Sequence, residues 1–335
     1  MSGNGATDHA DTNPLPSTPR QRAIAALECR KPCGPVPTCE LAFDLFSEWL
    51  GEPIPKSWDI SATKGNQRKA LLNRFSDAAI HVYREMDHCI ITEWGGFDIA
   101  SELFPHFREK TGDEFLFGFP GDPTFAIPDG TEMEEFIYQF ADHPQKKHDE
   151  AKRNVESALT HVESLKKAGG DVVWMSSDYA MNSGPFFSPA MFAEFVTPYL
   201  KEFITGCREM GLYTIKHSDG NIMPILDQLI DAAPHAIHSI DSVAGVDIRQ
   251  MKKECHGKVA LIGNVPHGPL QMGKFDLIAE AARYCLQHGG VEAGGYIYST
   301  SNAVFGGDLT GISVKAYRFM LEIRDDFMVK HQPTI

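Results

Sequence analysis

The sequence predicts an α/β protein folded as a (β/α)8 barrel of the TIM type, and three observations predict it. The chain has 335 residues, enough for one large core, and such barrels commonly run to ~250 residues or more as a single domain. From about residue 148 onward, short apolar runs alternate with helical patterns, which is the rhythm of parallel βαβ units. The rival, a doubly wound open sheet, usually carries a glycine-rich dinucleotide loop after its first strand, and no GxGxxG occurs.

Residues 1–18 are rich in Ser, Thr, Asn, Gly, Asp and Pro. They bury little apolar area and are expected to form a disordered tail, leaving 19–335 as the single barrel domain. Residues 19–27 read as a short helix, followed by a strand at Val36-Pro37-Thr38-Cys39-Glu40, whose prolines suit an edge or an entry. Two more strands are expected at Cys89-Ile90-Ile91 and across 115–119. The segment 111–148 contains the turn-rich Gly118-Phe119-Pro120-Gly121-Asp122-Pro123 and reads as a lid or pocket wall. Then the rhythm becomes regular. A helix over 149–168 leads to Val172-Val173-Trp174-Met175, and one over 189–210, capped by Ser188 before Pro189, leads to Tyr213-Thr214-Ile215-Lys216. A helix over 223–232 leads to Ala236-Ile237-His238-Ser239-Ile240, one over 248–255 to Val259-Ala260-Leu261-Ile262, and one over 275–288 to Gly295-Tyr296-Ile297-Tyr298-Ser299. Apolar runs of this kind are what strands buried on both faces require.

Composition narrows the function. A hydrophobic fraction of 42% and a charged fraction of 23% describe an ordinary globular protein. The formal charge of −14 and the absence of a Lys/Arg cluster argue against nucleic acid as a partner. No apolar run approaches the ~18 residues of a membrane span, and no apolar signal core opens the chain. The seven cysteines are odd in number and without CxxC spacing, so reduced thiols and a cytoplasmic location are expected. Cys29, Cys33 and Cys39 lie close together but lack the tight paired spacing of a metal site.

In a barrel, the residues just beyond the strand ends face the catalytic side. This rule assembles Glu93 and Trp94; Ser176, Ser177, Asp178 and Tyr179; His217, Ser218, Asp219, Gly220 and Asn221; Asp241; Asn264 and His267; and Ser299, Thr300, Ser301 and Asn302. Individually Asp178, Asp241 and Asn264 also read as helix caps, and His235 and His238 as structural histidines. The segment His217-Ser218-Asp219 is the densest set. Alternate residues of an extended chain point the same way, so His217 and Asp219 can converge on one proton or one metal, and a neighbouring carboxylate is expected to raise the histidine pKa. Gly220 permits a positive φ or a close ligand approach.

Several blocks resemble the uroporphyrinogen decarboxylase superfamily: Asp178-Tyr179 with Ser188-Pro189, Lys216-His217-Ser218-Asp219-Gly220-Asn221, Gly263-Asn264-Val265 and Gly294-Gly295-Tyr296-Ile297. The resemblance runs from about Arg22 to the C-terminus and implies the barrel fold. The decarboxylase branch carries two substrate-binding arginines near the first strand. Here no Arg follows that strand, and Glu40 stands among apolar residues, so a substrate with many carboxylates has no bidentate partners there.

The methyltransferase branch fits better. This branch comprises methylcobamide:coenzyme M methyltransferases and corrinoid-dependent O-demethylases. The coenzyme M enzymes resemble His-x-Cys-Gly-Asn at the segment of His217, with a further Cys after the last strand, and these ligands bind zinc. In this chain Asp219 replaces the first Cys, and Ser299-Thr300-Ser301-Asn302 holds no second one. What remains is a harder N/O donor set. The resemblance therefore implies a methyltransferase acting between a small methylated substrate and a corrinoid, with His217, Asp219, Asp178 and Tyr179 as catalytic candidates. Glu93, Trp94, Asn221, Asn264, His267 and Asn302 are the substrate-binding candidates, and Phe186 and Phe187 extend the apolar wall begun by Trp94. Two arrangements stay open: a zinc ion on His217, Asp219 and Glu93, or direct protonation by His217 with Asp219. No Asp-x-His-x-x-Gly corrinoid motif occurs, so the cobalamin is expected on a separate partner protein. Tetrahydrofolate is an alternative methyl acceptor, and a homodimer is compatible with the sequence. A decarboxylase or lyase acting on a smaller acid, and a non-catalytic binding member, are the rival readings.

Overall fold

The structure is a computed structural model that describes residues 17–92, 97–305 and 310–331. Seven strands form one parallel sheet whose spatial order follows the chain: β1 (Ile90–Thr92), β2 (Leu116–Pro120), β3 (Val172–Met175), β6 (Tyr213–Ser218), β7 (Ala236–Ser239), β8 (Ala260–Ile262) and β9 (Tyr296–Ile297). Between β3 and β6, the short β4 (Ala180–Met181) and β5 (Gly184–Pro185) make a separate antiparallel hairpin.

The expected first strand, Val36 to Glu40, is replaced by isolated bridges. Thr38 pairs in parallel with both His88 and Tyr298. Cys89 N donates to Thr38 O at 2.8 Å, and Tyr298 N donates to Pro37 O at 2.8 Å. Pro35 and Pro37 have no N–H to give, so no regular ladder extends through this segment. It nevertheless occupies the eighth position and links the two edge strands of the curled sheet.

Alternation along the strands divides the core. Ile90, Leu116, Val172, Trp174, Ile215, Ala236, Ala260, Ile262 and Ile297 pack together inside the barrel, whereas Ile91, Phe117, Val173, Met175, Ile237 and Leu261 join the layer under the helices. The helix Pro19–Leu27, with its Thr18 capping box, adds Ala23, Ala26 and Leu27 to the inner cluster. Arg20, on the same helix, is bidentate to Asp171 just before β3, at 3.0 and 2.9 Å. This helix therefore plugs the end where the strands begin and leaves the other end for chemistry.

Several elements differ from expectation. The helix expected over 189–210 is two helices, Pro189–Phe195 and Thr197–Glu209, because Pro198 cannot donate to the carbonyl of Glu194. Ser188 caps the first of them. Within the segment 111–148 lies the helix Met133–Asp142, its Phe136 stacked on Phe187 and its Phe140 edge-on to it. Phe186 and Phe187 thus belong to an aromatic layer around that helix. The helices Phe46–Leu50, Ser57–Ser61, Gly65–Glu85, Phe97–Thr111 and Thr310–Lys330 complete the wrapping. Strand β6 runs on through His217 and Ser218, two residues further than the sequence suggested. No helix among the described residues is long and apolar enough to cross a membrane.

Candidate functional site at the barrel mouth

Ile215 points inward, so His217, two residues further along β6, does the same. Its imidazole is buried, with 5% of the side chain exposed, while Asp178 and Asp219 beside it are open to solvent. Asp178 follows β3 and Asp219 follows β6, so both stand at the carboxyl ends of the strands, where barrel proteins build their sites. His217 Nε2 lies 3.6 Å from Asp178 Oδ1 and 3.9 Å from Asp219 Oδ1. Both separations exceed a hydrogen bond. Donor atoms of the three residues all lie within 4.8 Å of one another, a grouping able to hold a metal ion. Ligands ~2.1 Å from a tetrahedral zinc stand ~3.4 Å apart, close to these spacings. The set consists of one imidazole nitrogen and two carboxylates, with its outer side open to solvent, as a catalytic rather than a structural metal position requires.

Every other bond around the triad orients it. Asp219 Oδ1 accepts from Ser239 Oγ at 2.7 Å, and its Oδ2 accepts from Asn302 Nδ2 at 2.6 Å. Asp178 Oδ1 accepts from Asp219 N at 2.8 Å, tying the two strand ends together. Asp241 caps the turn after β7 through Val243 N and also accepts from Gly220 N at 3.1 Å. Gly220 has a φ of +81°, and a Cβ there would lie 2.3 Å from Ala180 O. The close approach foreseen for Gly220 is thus to the β4 backbone rather than to a ligand.

Burial dominates the electrostatics. It pushes the His217 pKa down to about 3, aided by the Lys216 ammonium. Contrary to expectation the net shift is downward: only the Asp122 carboxylate opposes it, and Asp178 and Asp219, at 3.6 and 3.9 Å, do not hydrogen-bond the ring. Asp219 is pushed up to about 6, first by burial and then by the carboxylates of Asp178 and Asp241, against the bonds from Ser239 and Asn302. A pocket that disfavours the histidinium and crowds carboxylates is short of one positive charge. No Lys or Arg among the described residues is ion-paired with Asp178 or Asp219. Lys216 faces the opposite side of β6, where its Nζ donates to Asp122 Oδ2 at 2.8 Å and to Ser177 O at 2.7 Å.

The remaining sequence candidates fall in different places. Asn302 is at the site but bonds Asp219. Tyr179 is buried, its hydroxyl paired with Thr124 Oγ1 at 2.6 Å and its ring under Lys216, so it faces away from the triad. Asn264 is fully engaged: Nδ2 donates to Ile240 O at 2.8 Å and Oδ1 accepts from Cys285 Sγ at 3.0 Å. It holds a backbone in which Ser239 and Ile240 have φ of +82° and +53°, a strained pair for residues with side chains. Asn221 Oδ1 accepts from Met223 N in a local turn. His267 begins the helix His267–Gln271 and faces Phe305. Glu93 and Trp94 lie outside the described residues; among the described ones, Asp178 groups with His217 and Asp219.

The sequence reads His238 as structural and does not single out Ser239 or the Lys216–Asp122 pair. His238 lies opposite His217 in the β6–β7 register, and its ring nitrogen is 2.8 Å from that of His217. Two inward-facing histidines on neighbouring strands were the available signal.

Fold and site together define an α/β barrel with a carboxylate–histidine donor cluster at the carboxyl ends of its strands. The chain belongs to the uroporphyrinogen decarboxylase (URO-D) family, whose model matches residues 121–322, more than half of its length. Among solved structures it is similar to a methyltransferase from Methanosarcina mazei, with a TM-score of 0.71 and 16% identity over 92% of this chain and 99% of that one. It is also similar to a B12-independent methionine synthase from Shewanella sp., with a TM-score of 0.50 and 12% identity over 89% of this chain and 100% of that one. At such identities the likeness is one of fold. No curated protein sequence matches the chain.

Proposed function

We propose that the protein is a methyltransferase that moves a methyl group between a small methylated substrate, such as a methyl ether, and a corrinoid carried on a partner protein. The observation that carries this reading is the triad of Asp178, His217 and Asp219 at the barrel mouth. When a methyl group leaves an ether oxygen for a nucleophile, the electron pair of the broken bond stays on that oxygen. The site must then offer positive charge or a proton at that position. The triad would hold a divalent ion such as zinc, which when bound supplies Lewis acidity to the leaving heteroatom. The chain's own residues orient this arrangement. Ser239 and Asn302 fix both oxygens of Asp219, and the Asp219 N–H fixes Asp178. Tetrahydrofolate as acceptor is the variant in which the methyl group arrives on methylcobalamin. The decarboxylase alternative lacks support at the triad, which offers carboxylates where an anionic substrate needs cations.

The test uses purified, metal-supplemented protein with cob(I)alamin as the corrinoid probe and a panel of methyl ethers, methylamines and methyl thioethers. A donor-dependent change from the cob(I)alamin to the methylcobalamin spectrum is expected, and His217→Ala should remove it. Carbon dioxide release from a small acid without any corrinoid would replace this reading with the decarboxylase one.

A further inference from the structure

His238 is wholly buried inside the barrel. Its Nε2 lies 3.2 Å from the carbonyl oxygen of Thr300, and its Nδ1 lies 2.8 Å from Nδ1 of His217. The edge of its ring meets Trp174, with ring centroids 5.4 Å apart and planes at 88°. These contacts determine where the protons are. A carbonyl oxygen only accepts, so the hydrogen on that bond belongs to His238 Nε2. A neutral imidazole carries one N–H and one bare nitrogen, so His238 Nδ1 is an acceptor. A doubly protonated His238 would be a buried cation with no carboxylate among these contacts, an arrangement burial strongly disfavours. The single proton between the two Nδ1 atoms is therefore donated by His217. The His217 side chain is only 5% exposed and neither carboxylate is within hydrogen-bond distance of it, so its charged form is disfavoured; in the neutral ring Nε2 is bare, with its lone pair aimed at the space shared with Asp178 and Asp219.

The anchor of this relay is itself held. Thr300 N donates to Glu40 Oε1 at 3.2 Å, and Glu40 Oε1 also accepts from Tyr317 at 2.7 Å. A buried acid beside the end of the last strand thus fixes the Thr300 backbone, the Thr300 carbonyl fixes His238, and His238 fixes His217. In metal sites, such partners of a ligating histidine set its tautomer and ring orientation.

We propose that His238 is the positioning residue that locks His217 in its Nδ1–H tautomer, keeping Nε2 permanently available as the nitrogen donor for a divalent cation. The proposal rests on the metal reading of the triad, and its test separates the two. One arm needs no metal and reads the wild-type protein. Long-range 1H–15N correlation on metal-free protein labelled at histidine, with His217 assigned by comparison with His217→Gln, reads which nitrogen bears the proton. The proton is expected on Nδ1, and finding it on Nε2 overturns the proposal. The second arm is zinc titration against a chromophoric chelator. His238→Leu is expected to weaken zinc binding ~10–100-fold and to move the His217 proton, whereas His238→Asn, whose side-chain oxygen accepts the same bond, should stay within several-fold of wild type. A folded His238→Leu protein that binds zinc as wild type does overturns the proposal. Wild-type protein that takes up no zinc, with its proton nevertheless on Nδ1, supports the tautomer lock and overturns the metal reading.

Discussion

Glu40 offers the sharpest test of how the buried core is built. Its carboxyl is buried and accepts from Tyr317 at 2.7 Å, Ser299 Oγ at 3.1 Å and Thr300 N at 3.2 Å, and it is also paired with Thr300 Oγ1. Thr300 Oγ1 has a second acceptor in Asn302 O. One hydroxyl proton cannot serve two acceptors, so a proton on Glu40 completes the network. Burial accordingly pushes the Glu40 pKa up from 4.5 to about 7, against the hydrogen bonds from Thr300, Tyr317 and Ser299. A raised acid favours the folded state while protonated. Its contribution is full below pH 4.5, the unfolded value, and is lost as the pH climbs through about 7. The gap is worth about 3 kcal/mol. Glu40→Gln keeps the shape and removes the titration. Urea unfolding of both proteins from about pH 4.5 to about pH 8 should show wild type losing about 3 kcal/mol relative to the variant. Taking the difference cancels every other titrating group. A flat difference, or one of opposite sign, would mean that Glu40 is ionised in the core and would refute the reasoning.

Other perturbations probe the site's supports. Lys216 and Asp122 form a buried ion pair, with 0% and 6% of their side chains exposed. Burial opposes ionisation of Asp122, but Lys216 outweighs it and holds the carboxylate below its usual range. Lys216→Met should cost ~3–5 kcal/mol in denaturant unfolding, because it strands the carboxylate; a cost below ~1 kcal/mol would show the pair to be dispensable. Gly220→Ala places a Cβ against the Ala180 carbonyl and should lower the melting temperature by the equivalent of ~2 kcal/mol or more. It should also weaken zinc binding, because Asp219 is the adjacent residue. Burial, aided by Arg208, pushes His235 down from 6.5 to about 4. That neutral histidine contributes stability above pH 6.5 which disappears as the pH falls through about 4. His235→Asn should flatten that acid limb, and an unchanged limb assigns the loss to other groups.

Much of the barrel was legible because its later strands are uninterrupted apolar runs bounded by glycine, as at Val172–Met175 and Ala260–Ile262. In the early half the strands at Ile90 and Leu116 were legible too, but the rest was not. Its strand at Val36 is broken by prolines into single bridges, and the helices from Phe46 to Thr111 pack around it without a matching strand rhythm. The rule that polar groups beyond strand ends face one pocket brought Asp178, His217, Asp219 and Asn302 together. It failed for Tyr179 and Asn264, because a residue at a strand end can turn outward or bond the adjacent loop, and one sequence position does not say which. His238 reads as structural from the sequence and is buried and hydrogen-bonded, but only the register sets it beside His217.

Asp178, His217 and Asp219 are grouped closely enough to hold a metal ion. Elemental analysis after loading with zinc and removal of free metal tests this most directly, comparing wild type with His217→Ala, Asp178→Ala and Asp219→Ala. One zinc per chain in wild type, lost or strongly weakened in each variant, is the predicted result. A wild-type protein that holds no metal yet methylates cob(I)alamin at full rate would contradict it and leave the proton of Asp219 as the electrophile.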